Sequence, residues 1–419
     1  MWLVMLLENG ERGMSLAGKD DCVGCAACVD ICPTNSIFMI EDDEGFFYPM
    51  IDEDGCILCN KCTMVCPSLN KKSNYSHIGK EAYVVIHKDD SKRIDSSSGG
   101  FFTLLSEYVL RNKGIIYGAV IDNEFNIYHE VIRNKDELKR AKGSKYAQSS
   151  TEGCFKEVKN YLEDDKRVLF TGTPCQIEGL KKFLVNQHVK QNRLITVDIA
   201  CHGVSSNLLF KKYFYDLEKK IGSRIKDIRF REKRNGWRNW GTLIIFENGR
   251  EIFYEWDNDD FMKIYLSHNA MRFSCYHCRF RCIFDRVSDF TMSDCWGIEF
   301  FAPDYDDDKG ASMVFLQTDV SKTIWEEIKE LSFYKKINIF KALQGNIGAY
   351  GRNIKPTLPR KHIYDDINKI SFHELAIKYE HKSGIKEKLM KRCPKLHKFY
   401  RTIKFVLSPI SLRIFYKSY

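Results

Sequence analysis

Eight cysteines fall in two runs, CVGCAACVDICP (Cys22, Cys25, Cys28, Cys32, Pro33) and CILCNKCTMVCP (Cys56, Cys59, Cys62, Cys66, Pro67), and each cysteine of the first recurs 34 residues later. An x2 spacing lets a tight loop present three thiolates to three corners of one inorganic centre. The small residues between them, Gly24, Ala26 and Ala27, leave room for backbone N–H groups beside it. A third group, SCYHCRFRC, holds Cys275, Cys278 and Cys282, with Cys295 further on. Three thiols in nine residues are one short of a tetrahedral set.

The C-x2-C-x2-C-x3-C-P run is the spacing of two-cluster ferredoxins, in which three cysteines of one repeat share a cluster with the fourth of the other. The expected sets are therefore Cys22, Cys25, Cys28 and Cys66 for one 4Fe-4S cluster, and Cys56, Cys59, Cys62 and Cys32 for its partner. Proline is expected to end each loop and start a short helix. A pair of zinc knuckles would need uncrossed fours. For the third group, spacing alone leaves open a local zinc site of Cys275, Cys278, Cys282 and Cys295.

Other loops carry chemistry at strand ends. RVLFTGTPCQIEGL puts Gly172, Thr173, Pro174 and Cys175 between a buried strand and a helix, where amides and the helix dipole favour an anion or a thiolate. VDIACHGVSS repeats the arrangement with Cys201, His202 and Gly203 before a helix capped by Ser205 or Ser206. SSSGGFF (Ser96 to Phe102) and KGSKYAQSS (Lys142 to Ser150) offer hydroxyl and amide donors to phosphate oxygens, and plain turns are the alternative for both.

These loops need a scaffold, and the chain alternates to supply one. AYVVIH, GIIYGAVID, RVLFTG and RLITVDIA read as strands; GGFFTLLSEYVLRNK, EGCFKEVKNYLEDD, PCQIEGLKKFL and SNLLFKKYFYDLEKKI read as helices between them. The fold class expected is an α/β body with an added antiparallel section at GTLIIFENGREIFYEW, preceded by a small α+β ferredoxin-like domain whose strand pair turns at Asp43 to Gly45. Two cysteines at carboxyl ends of parallel strands would share one sheet edge, where such sheets build sites.

The expected organisation is an N-terminal extension over 1–17, the ferredoxin-like domain over 18–70, a turn-rich boundary near 68–80, the flavin- and cluster-binding body over 81–310, a helical part over 311–381 and a basic amphipathic tail over 382–419. Met14 is as good a translation start as Met1. Sixteen cysteines in 419 residues with no secretory signal read as metal ligands in a reducing cytoplasm rather than as disulfides. No apolar run reaches the roughly 18 residues that span a bilayer. The charge of +9 sits in the tail, which has eleven Lys/Arg and one acid, Glu387. That tail suits an anionic membrane surface, an acidic partner or its own domain; no nucleic-acid partner is expected.

Taken in order, the double CxxCxxCxxxCP, SSSGGFFTLL, GSKYAQS, FTGTPCQIEGL, ACHGVSS, CYHCRF and DFTMSDCWG resemble the coenzyme F-420 hydrogenase/dehydrogenase beta subunit family over residues 18 to 300. The resemblance implies FAD bound by Ser97, Ser98, Gly99, Gly100, Ser144, Lys145 and Tyr146, with Gly172 and Thr173 nearby. It implies a third 4Fe-4S cluster on Cys175, Cys201, Cys275 and Cys278, leaving Cys282 and Cys295 as neighbours. His202, Lys145 and Asp294 become the general-acid candidates, with a histidine merely hydrogen-bonded behind a cluster as the alternative for His202.

The implied activity is that of an oxidoreductase passing electrons from ferredoxin or another redox donor, through the clusters and FAD, to a small organic acceptor; a glycan precursor of surface polysaccharide is one acceptor class. The alternative is an electron-transfer beta subunit of a hydrogenase or dehydrogenase, serving an oxidoreductase partner and using coenzyme F-420 or another two-electron carrier. A zinc-stabilised binding protein is the third expectation.

Overall fold

The computed structural model describes residues 16–70, 80–350, 354–355, 360–380 and 403. At its N-terminal end β1 (Ile37–Glu41) pairs antiparallel with β2 (Phe47–Ile51), and short helices Ala27–Ile31 and Lys61–Val65 flank the pair. Asp42 turns the hairpin by accepting from the amides of Glu44 and Phe46. The expected basic tail and most of the N-terminal extension lie outside the described residues, as does the linker 71–79.

The body is built on eight strands: β3 (Glu81–His87), β4 (Ile115–Ile121), β5 (Ile127–Ile132), β6 (Val168–Gly172), β7 (Leu194–Ile199), then β11 (Phe290–Asp294), β12 (Ser312–Leu316) and β13 (Ser332–Ile337). Between β7 and β11 the chain makes a separate antiparallel sheet of β8 (Ile225–Glu232), β9 (Gly241–Phe246) and β10 (Glu251–Glu255). The large sheet runs β13-β3-β12-β11-β7-β6-β4-β5. Its four middle strands β11, β7, β6 and β4 are parallel, and antiparallel strands close both sides.

Parallel strands covered on both faces must be apolar on both. In β6, Val168 and Phe170 pack with helices Cys154–Glu163 and Pro174–Asn186, while Leu169 packs with helix Phe101–Arg111 on the opposite face. The α/β body, the small α+β unit and the antiparallel section are all present.

Two expectations change. Residues 311–381 are not simply helical: SMVFL and SFYKKI are strands of the central sheet, β12 fully buried between β11 and β3. The N-terminal unit is also not a separately cored module. Val23, Cys25, Ala27, Ile31, Ile37, Cys62 and Val65 share one apolar core with Phe155, Ile177, Leu180, Phe183 and Leu184 of the body.

Candidate functional site

The two cysteine repeats adopt the same local conformation. Each short helix starts from a left-handed residue, Ala26 (φ 56°) or Asn60 (φ 58°), and ends at an extended cysteine, Cys32 (φ −67°, ψ 116°) or Cys66 (φ −67°, ψ 117°). The prolines therefore stop these helices rather than start them: a residue before proline is pushed out of the α region.

Cys22, Cys25, Cys28 and Cys66 line one small cavity, with Met39, Pro49 and Pro67 completing its wall. This is the crossed set expected from the repeat. Burial pushes the Cys25 thiol well up, and the neighbouring Cys28, Cys66 and Cys22 push it further. Cys28 and Cys66 are raised in the same way, first by burial and then by neighbouring thiols. Four thiolates crowded out of water are stable only with a cationic core among them, so the donor set fits an iron-sulfur cluster.

The second set is more open. Cys62 is buried and raised first by burial, with Cys59 among its charged neighbours. Cys32 and Cys56 are half-buried and Cys59 is exposed. Ile57, Leu58 and Met64 beside them are 62%, 51% and 57% exposed.

In the body, the carboxyl ends of adjacent strands β6 and β7 deliver Cys175 and Cys201. Pro174 at the first helical position and a Thr173–Gln176 capping box start helix Pro174–Asn186 there. The Thr173 hydroxyl lies 3.1 Å from Cys175 Sγ. Cys275 and Cys278 come from the 3-10 turns that follow Arg272. Burial raises all four thiols. The next causes at Cys175 are Cys278 and Cys201, and at Cys275, pushed up to about 12, they are Cys201 and Cys278. At Cys201 and Cys278 the nearby Arg281 and Arg286 pull the other way.

Cys282 and Cys295 are not in this group. Both are buried in a separate core with Ile283, Phe284 and Tyr350. After burial, Cys282 answers to Asp285 and Cys295 to Asp294, Asp306 and Glu299. Among the described residues, no three His, Cys, Asp or Glu side chains close around a single ion. Zinc needs its thiolates within about 2.3 Å of one point, whereas a cubane holds them at separated corners. The arrangement thus favours Cys175, Cys201, Cys275 and Cys278 around a cluster over the local zinc site.

Three arginines of the CYHCRF region were not picked out in the sequence. Arg272, 0% exposed, donates from Nε to the Cys22 carbonyl at 2.7 Å and from Nη2 toward Cys22 Sγ at 3.4 Å. Arg281, also buried, donates to the carbonyls of His202 and Cys275. Arg286 pairs with Asp198 at 2.8 Å. An arginine beside cysteines carries no spacing signal of its own; only the fold turns it inward.

The two proposed flavin segments do come together. Ser144 donates to Ser97 at 3.3 Å, and Lys142 pairs with Asp95 at 2.7 Å. Much of their polar capacity is spent locally, however. Ser98 donates to the Ala311 carbonyl, the Gly99 amide donates to Ser312, and Gly100 (φ 92°) starts helix Phe101–Arg111. Lys145 donates to the carbonyls of Arg140 and Lys142, closing helix Lys135–Ala141, and burial pulls its amine down to about 7. Tyr146 packs against Phe230, Trp240 and Tyr265.

Beside Tyr146 stands a charged aromatic box. Arg231 lies 4.3 Å over Trp240 and 5.2 Å over Trp296, at a bulge of β8 with φ 63°. Asp294 accepts from Arg231 at 2.6 Å and from the Trp237 indole at 3.2 Å, so both its oxygens are engaged. Asp294 therefore holds Arg231 in place, and nothing in its contacts marks it as a proton donor. His202 sits among His268, Arg281 and Arg231; burial first, then these cations, pull its imidazole down to about 4. That surrounding suits a neutral ring behind the cysteines better than a general acid. Gly172 and Thr173 lie at the β6 exit beside Cys175, apart from the Ser97–Ser144 contact.

Residues 165–339 match the model for the C-terminal region of the coenzyme F420 hydrogenase/dehydrogenase beta subunit, and residues 21–70 match the 4Fe-4S dicluster domain. No curated protein matches the chain. Among solved structures, one similar chain belongs to the F420-reducing [NiFe] hydrogenase complex from Methanosarcina barkeri, at 17% identity, covering 73% of this chain and 91% of that one, with a TM-score of 0.42. No helix among the described residues is long and apolar enough to cross a membrane.

Proposed function

We propose, for a chain that belongs to the coenzyme F420 hydrogenase/dehydrogenase beta-subunit family and carries a 4Fe-4S dicluster domain ahead of it, that it is an iron-sulfur flavoprotein oxidoreductase with three 4Fe-4S sites. The observation that supports this most is the gathering of Cys175, Cys201, Cys275 and Cys278, from three distant stretches of chain, next to the cysteine-lined cavity of the N-terminal unit. Clusters supply one-electron exchange, and a flavin, when bound, converts that into two-electron chemistry.

The chain's own residues divide the work. Cys22, Cys25, Cys28 and Cys66 hold the first site, Cys56, Cys59, Cys62 and Cys32 the more exposed second, and the body set the third. Arg281 and Arg286 supply positive charge against the body thiolates. FAD is proposed at the junction of Ser97 and Ser144, where Arg231, fixed by Asp294 and flanked by Trp240 and Trp296, would meet an anionic ring or phosphate. The acceptor is a small organic molecule, with a glycan precursor as one class, and the setting is cytoplasmic.

A second reading, an electron-transfer subunit within a larger hydrogenase or dehydrogenase, is favoured by the exposed Ile57, Leu58 and Met64 around Cys59. Anaerobic purification with iron, sulfide and flavin analysis tests the first reading. About twelve irons and one flavin per chain are expected from three four-iron clusters; about eight irons with no flavin would overturn it. Copurification of a large redox partner would favour the second.

A further inference from the structure

The body does not merely carry the N-terminal unit; it grips the ligands of one particular site. Arg272 and the Ser274 hydroxyl both donate to the Cys22 carbonyl, at 2.7 and 3.0 Å. Arg279 donates to the carbonyl of Pro67, next to Cys66, at 2.5 Å, and also pairs with Glu178. Gln148 and Thr151 hold the carbonyls of Val23 and Cys25. Residues 272 to 279, which contain Cys275 and Cys278, therefore reach the first N-terminal site at both ends. None of these contacts involves Cys56 or Cys59.

The closest approach is at Gly179. A Cβ added there would lie 2.9 Å from Cys25 Sγ and 3.2 Å from Cys25 Cβ, with Phe155 at 3.5 Å closing the other side. Gly179 is in the interior of helix Pro174–Asn186, four residues after Cys175. Four residues are about one turn and about 6 Å of axial rise, so Cys175 and Gly179 lie on one face. Glycine inside a helix costs about 0.5–1 kcal/mol against alanine, and its backbone here is ordinary helix. What it provides is the missing side chain at Cys25.

We propose that the first N-terminal site and the body site exchange electrons directly across the Cys25–Gly179 contact, and that residue 179 is glycine to keep that gap closed. The proposal rests on the reading of both cysteine sets as cluster ligands. One electron moves per step, one centre being oxidised as the other is reduced, and no bond or proton is exchanged. The exposed second site then serves as the entry from an external reductant, because Cys62 neighbours Cys28 and Cys66 while the body contacts the first site.

The test compares wild type with Gly179→Ala, both purified anaerobically and reduced by dithionite. Iron content is measured first: a wild type without the third cluster would defeat the underlying reading rather than this one. In loaded protein, the variant is expected to keep its iron while magnetic coupling between the first and body clusters weakens in electron paramagnetic resonance. Electron arrival at the body cluster after substoichiometric reduction should slow several-fold. Unchanged coupling and rate with full iron would overturn the proposal, since a purely structural glycine would alter neither. If the variant loses a cluster, the wild type decides: coupling between these two centres supports the contact, and its absence overturns it.

Discussion

Arg286 Nη1 and Asp198 Oδ1 lie 2.8 Å apart with each side chain 1% exposed, an ion pair in the interior three residues before Cys201. Asp198 also accepts from Ser288 at 2.7 Å and Thr291 at 2.6 Å, and Arg286 donates to the carbonyls of Phe280 and Ile199. The pair ties β7, β11 and the cysteine loop together. Removing one partner of a buried pair leaves the other charged in a dry site, at a cost of about 3–5 kcal/mol. Arg286→Met should lose stability of that order in anaerobic denaturant unfolding. It should also lower the midpoint potential of a cluster on Cys201, because the more negative reduced form loses a nearby cation.

Asp30 does for the docking of the N-terminal unit what Asp198 does for the loop. Helix Cys154–Glu163 begins at Gly153, which has no side chain to cap it. The carboxylate of Asp30, from a different part of the chain, accepts from the amides of Gly153 at 2.8 Å and Phe155 at 2.9 Å. A carboxylate there satisfies orphan amides and meets the positive end of the helix. Asp30→Ala should cost about 1–3 kcal/mol and increase amide hydrogen exchange in the first turn of that helix. Asp30→Asn, which keeps one acceptor, should fall between; equal exchange in all three proteins would show that the cap contributes nothing.

How much of this could be read from the residues alone differs by region. The N-terminal ligand sets follow from covalent spacing, and the cavity among Cys22, Cys25, Cys28 and Cys66 bears out the crossed pairing for the first set. The body set could not be derived that way: Cys175 and Cys275 are a hundred residues apart, and only sheet topology places β6 and β7 side by side. Resemblance supplied what spacing could not. IKDIRFRE and SFYKKI escaped notice as strands because their charges hide the period, and both are flanking strands rather than central ones. Lys145 matched a motif, yet its amine is occupied in closing a helix.

Asp259 provides a pH signature unconnected with the clusters. It is 0% exposed and caps helix Asp260–Ser267 through the amides of Phe261 and Met262. Burial pushes its carboxyl up to about 6, against the lowering effect of Thr242, Tyr213 and those amides. The folded value lies above the ordinary 3.8, so between the two the folded state binds more protons than the unfolded. Stability therefore falls as pH rises through this window and levels off above it. Asn also caps well, so Asp259→Asn removes the titration and keeps the cap. Relative to that variant, wild type should lose about 1 kcal/mol between pH 5 and pH 7, read from paired denaturation curves; parallel curves would refute the assignment.

The last prediction separates the two ways of completing the CYHCRF site. Cys201 faces Cys175, Cys275 and Cys278, whereas Cys282 packs with Ile283, Phe284 and Cys295. Cys201→Ser should remove about four irons per chain, the content of one cluster, and leave the N-terminal centres spectroscopically intact. Cys282→Ser should keep the full iron content and lose only packing, since it replaces a buried apolar-like thiol by a hydroxyl needing a partner. Iron and sulfide analysis of the two variants, prepared side by side under anaerobic conditions, gives the answer. The opposite result, iron lost from Cys282→Ser and retained in Cys201→Ser, would move the fourth ligand into the local stretch and remove Cys175 and Cys201 from the set.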